Sequence, residues 1–143
     1  MFILMLDIDL FKQTNDTLGH LVGDQLLRAA ADCCKKNVRE VDIVGRYGGD
    51  EFVILLTESD RKNALQVAER LRKSIMKLSI QTDHTNIGMT VSCGVTVLAQ
   101  DTPDLEALIA KADKALYQAK SKGRNQVYYL EESSSRDETH PLN

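Results

Sequence analysis

In the stretch Gly45 to Leu56, GRYGGDEFVILL, two acidic residues stand side by side where the chain is otherwise apolar. Asp50 and Glu51 follow the pair Gly48 and Gly49 and precede the run Phe52 to Leu56. A third carboxylate, Asp7, stands where the apolar run Phe2 to Leu6 ends. If that run and the Gly-Gly-Asp-Glu link meet at one edge of a sheet, three carboxylates converge. Like charges that close repel unless protons or a cation neutralise them. An all-oxygen ligand set suits Mg²⁺, which keeps waters or phosphate oxygens in its octahedral shell. Two such ions can hold the attacking and leaving oxygens of an in-line phosphoryl transfer. The glycines admit a tight turn and leave room for phosphate. Asp and Gly are also commonplace in hairpin turns; only the added LDID at the end of an apolar strand brings the metal reading level with the plain turn.

The elements that must position these residues follow from periodicity. Phe2 to Leu6 is continuously apolar, as in a strand covered on both faces. A short helical stretch follows, with Phe11, Thr14 or Asn15, and Leu18 on one side. Gly19 and Gly23 interrupt the chain, and the next helix is expected from about Asp24 to Val38, with Leu27, Ala30, Ala31, Cys34 and Val38 as its apolar stripe. Val41 to Tyr47 and Phe52 to Leu56 read as a hairpin. Asp60 is the expected N-cap of a helix that turns Ala64, Val67, Ala68, Leu71, Ile75 and Leu78 inward. Met89 to Leu98 alternates as a strand does. Thr102-Pro103 opens a last helix, with proline at its first position. Leu105, Leu108, Ile109, Ala112, Leu116 and Ala119 form its buried face, and Gly123 ends it. Gln126 to Leu130 is a final strand, and residues 131–143 read as a polar, disordered tail. The order β-α-α-β-β-α-β-α-β contains the ferredoxin-like β-α-β-β-α-β arrangement. The expected class is therefore α/β (α+β), a palm with a central, mostly antiparallel sheet flanked by helices.

Composition narrows the function classes. A chain of 143 residues, 43% hydrophobic and 27% charged, suits one globular domain. A net charge of -3 offers no general attraction for nucleic acid or anionic membrane. No apolar run is long enough to span a bilayer, and Met1 leads into a strand-like run without the pattern of a signal peptide. Three cysteines, two of them the neighbours Cys33 and Cys34, form neither a disulfide framework nor a zinc pattern. A reducing cytoplasm is the expected compartment.

Three blocks in order, DIDLFKQTNDTLGHLVGD, YGGDEFVILL and DKALYQAKSKGRN, resemble the GGDEF domain of bacterial diguanylate cyclases. The resemblance covers Phe2 to about Tyr129. It implies a palm related to that of the nucleotidyl cyclases and condensation of two GTP to cyclic di-GMP with release of two pyrophosphates. It assigns Asp7, Asp50 and the carbonyl of Ile8 to Mg²⁺ or Mn²⁺, two ions per site. Glu51 lies beside the ribose 3′-hydroxyl, either as base or as second-metal ligand. Asn15 and Asp24 are expected to read guanine, since one carboxylate can accept from adjacent N1–H and N2–H donors. For Asp24 a helix N-cap is the plain alternative, and for Asn15 a turn. The signature glycines Gly48 and Gly49 belong to the substrate pocket. Lys120 and Arg124 are assigned to the triphosphate, although two cations at a helix end also complement its dipole. Phe11 and Lys12 lie in the matched block, with Phe11 packed near the base or the core. His20 is expected to be structural, and His84 and His140 to lie in a loop and the tail.

The resemblance extends to a second site. Arg39-Glu40-Val41-Asp42 matches the Arg-x-x-Asp motif through which the family's product inhibits, and Arg70 matches a further arginine there; a surface ion pair is the plainer reading. A product with two equivalent phosphodiester links implies two chains with facing sites, hence a homodimer. The family pattern usually begins earlier, with a helix and an Asp-x-Leu-Thr…Asn-Arg segment that lines the guanine pocket. This chain lacks both, so exposed apolar sheet surface and weakened activity are expected, as is a regulatory domain in a full-length parent. Two other readings stay open: a module that binds cyclic di-GMP or GTP without turnover, and an RNA-binding palm. The low aromatic content and acidic balance weigh against the latter.

Overall fold

Seven consecutive buried residues, Phe2–Ile8, form strand β1, so it must lie mid-sheet with helices on both sides. The computed structural model describes residues 1–83 and 85–131. His84 and residues 132–143 lie outside the described residues, and with them the expected roles of His84, His140 and the tail beyond Glu131.

Helices α1 (Phe11–Leu18) and α2 (His20–Lys36) follow β1. Strands β2 (Ile43–Arg46) and β3 (Glu51–Leu56) form the hairpin. Helix α3 (Arg61–Met76) leads through a two-stranded ribbon, β4 (Ile80–Gln81) and β5 (Asn86–Ile87), to β6 (Val91–Val97). Helix α4 (Leu105–Ser121) and β7 (Val127–Tyr129) complete the chain. The main sheet runs β2-β3-β1-β6-β7, antiparallel except for the β6–β7 pair. The first four strands have the ferredoxin-like order expected from the β-α-β-β-α-β pattern.

Alternation along β1 sorts its side chains between two layers. Phe2, Leu4, Leu6 and Ile8 join Phe52, Ile54 and the apolar stripes of α2 and α3 in the larger core. Ile3 and Met5 point the other way and pack with Leu108, Ala112 and Leu116 of α4. Gly94 makes that second layer thin: a Cβ there would come within 2.7 Å of the Ala112 carbonyl oxygen, so the α4 backbone rests directly on β6. The layer covers only part of the sheet, and Ile43 remains 57% exposed on β2.

Several expected boundaries move, each for a physical reason. Strand β1 extends to Ile8, which puts Asp7 inside the strand, opposite Glu51 of β3 and Ser92 of β6. Helix α2 starts at His20, because Gly19 takes the capping position at φ 93°, where a side chain would be strained. Asp24 is therefore within the helix and is not its N-cap. In α4 the cap is Asp104, whose carboxylate accepts from the Ala107 N–H at 2.9 Å, so Pro103 precedes the helix and does not occupy its first position. Leu105, expected inside, is 58% exposed. Asp60 caps α3 as expected, accepting from the Asn63 N–H at 2.7 Å. The β4–β5 ribbon was not expected. All three cysteines are free and buried, and burial pushes the Cys34 thiol up to about 12.

Candidate active site

The strand-end carboxylates are brought together by register. Asp7 faces Glu51 across the β1–β3 ladder, and the Ile8 N–H donates to the Asp50 carbonyl at 3.2 Å, which ties the hairpin turn to the end of β1. Asp7 is only 6% exposed. One of its oxygens, Oδ2, accepts from Lys120 of α4, while Oδ1 is buried with no hydrogen-bond partner. Burial, and after it the neighbouring Asp50, push the Asp7 carboxyl up to about 7 against the opposing pull of Lys120. Glu51 is also shifted upward, first by burial, then by the charge of Asp113, with Lys120 acting in the other direction.

The turn between β2 and β3 is held from below. Arg46 donates to the carbonyls of Gly48 at 3.3 Å and Gly49 at 2.5 Å, and Tyr47 donates to the Glu51 carbonyl at 2.9 Å. A Cβ on Gly48 would sit 2.8 Å from Glu51 Oε1, so the missing side chain gives the carboxylate its place.

Two adjoining depressions meet at Asp50. One, of about 370 Å³, is lined by Phe11, Lys12, Asn15, Asp24, Leu27, Arg46, Gly49 and Asp50. The other, of about 300 Å³, includes Asp7, Ile8, Lys12, Asp50, Lys120 and Arg124. Asn15, half-buried, packs its amide against α2 because Gly23 has no side chain; a Cβ there would lie 2.9 Å from Asn15 Cγ. The Asn15 amide oxygen is buried without a partner, as Asp7 Oδ1 is. Buried polar atoms left unpaired are costly and mark places where a ligand can complete the bonding.

Of the expected active-site residues, Asp7, Ile8, Asn15, Asp24, Gly49, Asp50, Lys120 and Arg124 line these two depressions, whereas Gly48 and Glu51 line neither. Arg124 reaches its depression from beyond α4, not from the helix as its spacing to Lys120 suggested: the helix ends at Ser121, and Arg124 has φ 62°. Sequence reasoning missed three contributors. Arg46 shapes the signature turn. Asp9 accepts from Thr90, Ser92 and Asn125. The start of α1 follows the left-handed Leu10 (φ 57°) with no side-chain cap, and Phe11, Lys12 and Gln13 of its first turn line the second depression. Uncapped N-termini of this kind attract anions.

The donor set at Asp7, Asp50 and Ile8 is all oxygen, and the unpartnered Asp7 Oδ1 gives a cation an acceptor to bind, so these residues fit a hard divalent ion. Among the described residues, no cluster of three or more His, Cys, Asp or Glu is gathered as a complete metal cage. Ions that keep waters and phosphate oxygens do not need one.

The residues of the second expected site pair with one another and with neighbouring backbone. The Asp42 side chain, 3% exposed, accepts from the Arg39 N–H at 2.9 Å, from the Arg39 guanidinium at 3.3 Å and from the Thr57 N–H at 3.1 Å. Burial pushes its carboxyl up, but these bonds outweigh it and hold it below the ordinary value. Arg39, half exposed, also donates to the Thr57 carbonyl. Arg70 donates to Asn37 Oδ1 at 3.2 Å and to the Asn37 carbonyl at 2.5 Å, two residues upstream of Arg39.

Fold and site together define a palm domain with acidic residues on adjacent strands above an open, mixed-polarity surface. The chain belongs to the GGDEF domain family of diguanylate cyclases, whose family model matches residues 1–126. It is 44% identical to diguanylate cyclase A of Treponema denticola over 87% of this chain and 34% of that protein. It is 41% identical to the response regulator PleD of Caulobacter vibrioides over 87% of this chain and 28% of that protein. The chain thus spans about a third or less of the length of these relatives. Among solved structures, the diguanylate cyclase SiaD of Pseudomonas aeruginosa, in complex with its activator SiaC, superposes with TM-score 0.86 at 36% identity, covering 90% of this chain and 49% of that one. The active GGEEF domain of a diguanylate cyclase from Vibrio cholerae superposes with TM-score 0.84 at 30% identity, covering 92% and 83%. The GGDEF domain of DgcB from Caulobacter crescentus, solved with c-di-GMP, gives 0.82 at 30%, covering 90% and 76%. Among the described residues no helix is long and apolar enough to cross a membrane.

Proposed function

We propose that this domain is a diguanylate cyclase, which condenses two GTP to cyclic di-GMP and releases two pyrophosphates. The observation that carries the reading is the buried, half-unpaired Asp7 beside Asp50, where two adjoining depressions meet. In this reading Asp24 accepts from the guanine N1–H and N2–H, and Asn15 completes base recognition with its buried amide. Lys120, Arg124 and the first N–H groups of α1 hold the phosphates. Asp7, Asp50 and the Ile8 carbonyl would hold Mg²⁺ or Mn²⁺. A bound ion of that kind supplies charge neutralisation at the reacting phosphate. Glu51, whose carboxyl is shifted upward first by burial, serves in this reading beside the ribose 3′-hydroxyl, as base or as second-metal ligand. The ribose 3′-oxygen then bonds to the α-phosphorus of the second GTP as the bond to pyrophosphate breaks. Free GTP and three unoxidised cysteines suit the cytoplasm.

Incubation with GTP and Mg²⁺ tests this directly. The expected result is cyclic di-GMP and pyrophosphate from the wild-type protein, and a loss on the order of 10²-fold or more in Asp50→Ala with the fold retained. Product formation unchanged by Asp50→Ala would refute the metal assignment. GTP binding without any product would identify a receptor module instead.

Product feedback is part of the proposal. It is supported by Arg39, Asp42 and Arg70 lying around one short loop beside β3, and by guanidinium chemistry that can both pair with phosphate and stack on guanine. Because Arg39 already pairs with Asp42, binding exchanges an internal bond for a ligand bond. Arg39→Ala is expected to relieve inhibition by added cyclic di-GMP; inhibition at the same product concentration in the variant would remove this site.

A further inference from the structure

Asp9 stands between the metal-ligand pair Asp7 and Ile8 and the start of α1, yet the mechanism above gives it no task. Its carboxylate accepts three hydrogen bonds from two separate segments. Oδ2 accepts from Thr90 Oγ1 at 2.7 Å, and Oδ1 from Ser92 Oγ at 2.6 Å. Oδ2 also accepts from the backbone N–H of Asn125 at 3.0 Å. The Asp9 N–H itself donates to the Thr90 carbonyl at 2.9 Å. The first two bonds fix Asp9 to the start of β6, and the third reaches the loop beyond α4.

That loop is strained. Gly123, Arg124 and Asn125 take φ values of 124°, 62° and 48° in succession. Glycine adopts such a backbone freely and asparagine tolerates it, whereas in Arg124 it is unfavourable and persists only where the surroundings impose it. Asp9 imposes it from one side. From the other, Arg72 of α3 donates from Nη1 to Asn125 Oδ1 at 2.9 Å. Arg124 sits in the middle of this clamped turn, and its neighbours in the depression are Asp7, Asp50 and Lys120.

We propose that Asp9 is a positioning residue: it holds the left-handed turn that carries Arg124, and so sets the guanidinium beside Lys120 for the nucleotide's outer phosphates. The assignment rests on the GTP-site reading above. It gives the second carboxylate of the Asp7-Ile8-Asp9 stretch a role distinct from metal binding. Asp9 acts on substrate only through Arg124, so its effect depends on Arg124 being present.

A double-mutant cycle on nucleotide affinity tests this, read with Mg²⁺ and the α,β-methylene analogue of GTP, alongside thermal melts of each variant. Asp9→Ala and Arg124→Ala are each expected to weaken binding by about tenfold or more, and the double variant to bind within about twofold of Arg124→Ala alone. Asp9→Asn, which still offers an oxygen to the Asn125 N–H and an amide to Ser92, is expected to recover most of the loss. If Asp9→Ala unfolds, Ser92→Ala replaces it in the same cycle, with a smaller loss that again vanishes without Arg124. Losses that simply multiply in the double variant, or Asp9→Ala binding as tightly as wild type, overturn the role of Asp9 while leaving the GTP site standing. A wild-type protein that does not bind the analogue overturns the site reading and this assignment with it.

Discussion

Asp7 carries two opposed influences, and their balance decides how the site behaves without metal. Burial and Asp50 favour the protonated form, Lys120 the ionised one, and the first two prevail, raising the carboxyl from 3.8 to about 7. The sign for stability follows. Below about pH 3.8 Asp7 is protonated in folded and unfolded chains alike, so its contribution is fully present. As the pH rises toward 7 the unfolded chain gives up this proton and the folded chain keeps it, so stability falls; above about 7 the loss is complete. Asp7→Asn removes the slope. With chelator present, the variant should match wild type near pH 4 and exceed it at pH 8 by on the order of 1–3 kcal/mol, measured by urea unfolding. If Asp7→Asn is less stable than wild type at pH 8, the Lys120 pairing outweighs burial and the carboxyl is shifted downward instead. The same residue shows what a sequence can and cannot display. An acidic residue closing an apolar strand, with a Gly-Gly-Asp-Glu turn downstream, is enough to bring Asp7 and Asp50 together. Asp9 is not legible, because its partners Thr90, Ser92 and Asn125 lie 81, 83 and 116 residues away.

Long apolar elements are legible because periodicity integrates over many residues. The failures fall where one local choice decides. Helix α2 begins earlier than expected because Gly19, which ends α1, also caps the start of α2. The two-residue strands of the β4–β5 ribbon are too short for any period to register. Close approaches between elements are likewise silent in sequence, since a glycine does not announce what rests on it. Gly94 is the clearest case. Lys120 and, through the following turn, Arg124 ride on α4, and α4 is seated on the bare backbone of Gly94. Gly94→Ala must lift the helix against the Ala112 carbonyl. A loss of about 2–3 kcal/mol in urea unfolding is expected, together with weaker GTP binding as the two cations move away from Asp50. Gly45→Ala serves as the control: no atom lies within 4 Å of its added Cβ, and a change within about 0.5 kcal/mol is expected. Equal effects at the two glycines would show that the seating of α4 does not matter.

At the scale of the whole molecule, the proposed reaction asks more than one chain can give. In the proposed reading the two depressions that meet at Asp50 take one GTP, with the base at the Asn15 end and the phosphates at the Lys120 end. Each phosphodiester bond of the product needs a 3′-hydroxyl from one nucleotide and an α-phosphate from the other. Two copies with facing sites satisfy both attacks by symmetry, because an isologous pairing repeats each contact. Catalysis then depends on encounter, so the rate should rise with the square of protein concentration when copies are scarce and linearly once they are paired. Over a dilution of about 100-fold, the rate per chain is expected to fall steeply for this domain. Fusing it to a parallel two-stranded coiled coil should hold the rate per chain nearly constant over the same range, because tethering replaces bulk concentration by a local one in the millimolar regime. Initial rates of cyclic di-GMP formation, with light scattering at each concentration, measure both effects. A rate per chain that stays level while scattering reports single copies would mean that one site completes both bonds in turn, and the facing-site arrangement would have to be abandoned.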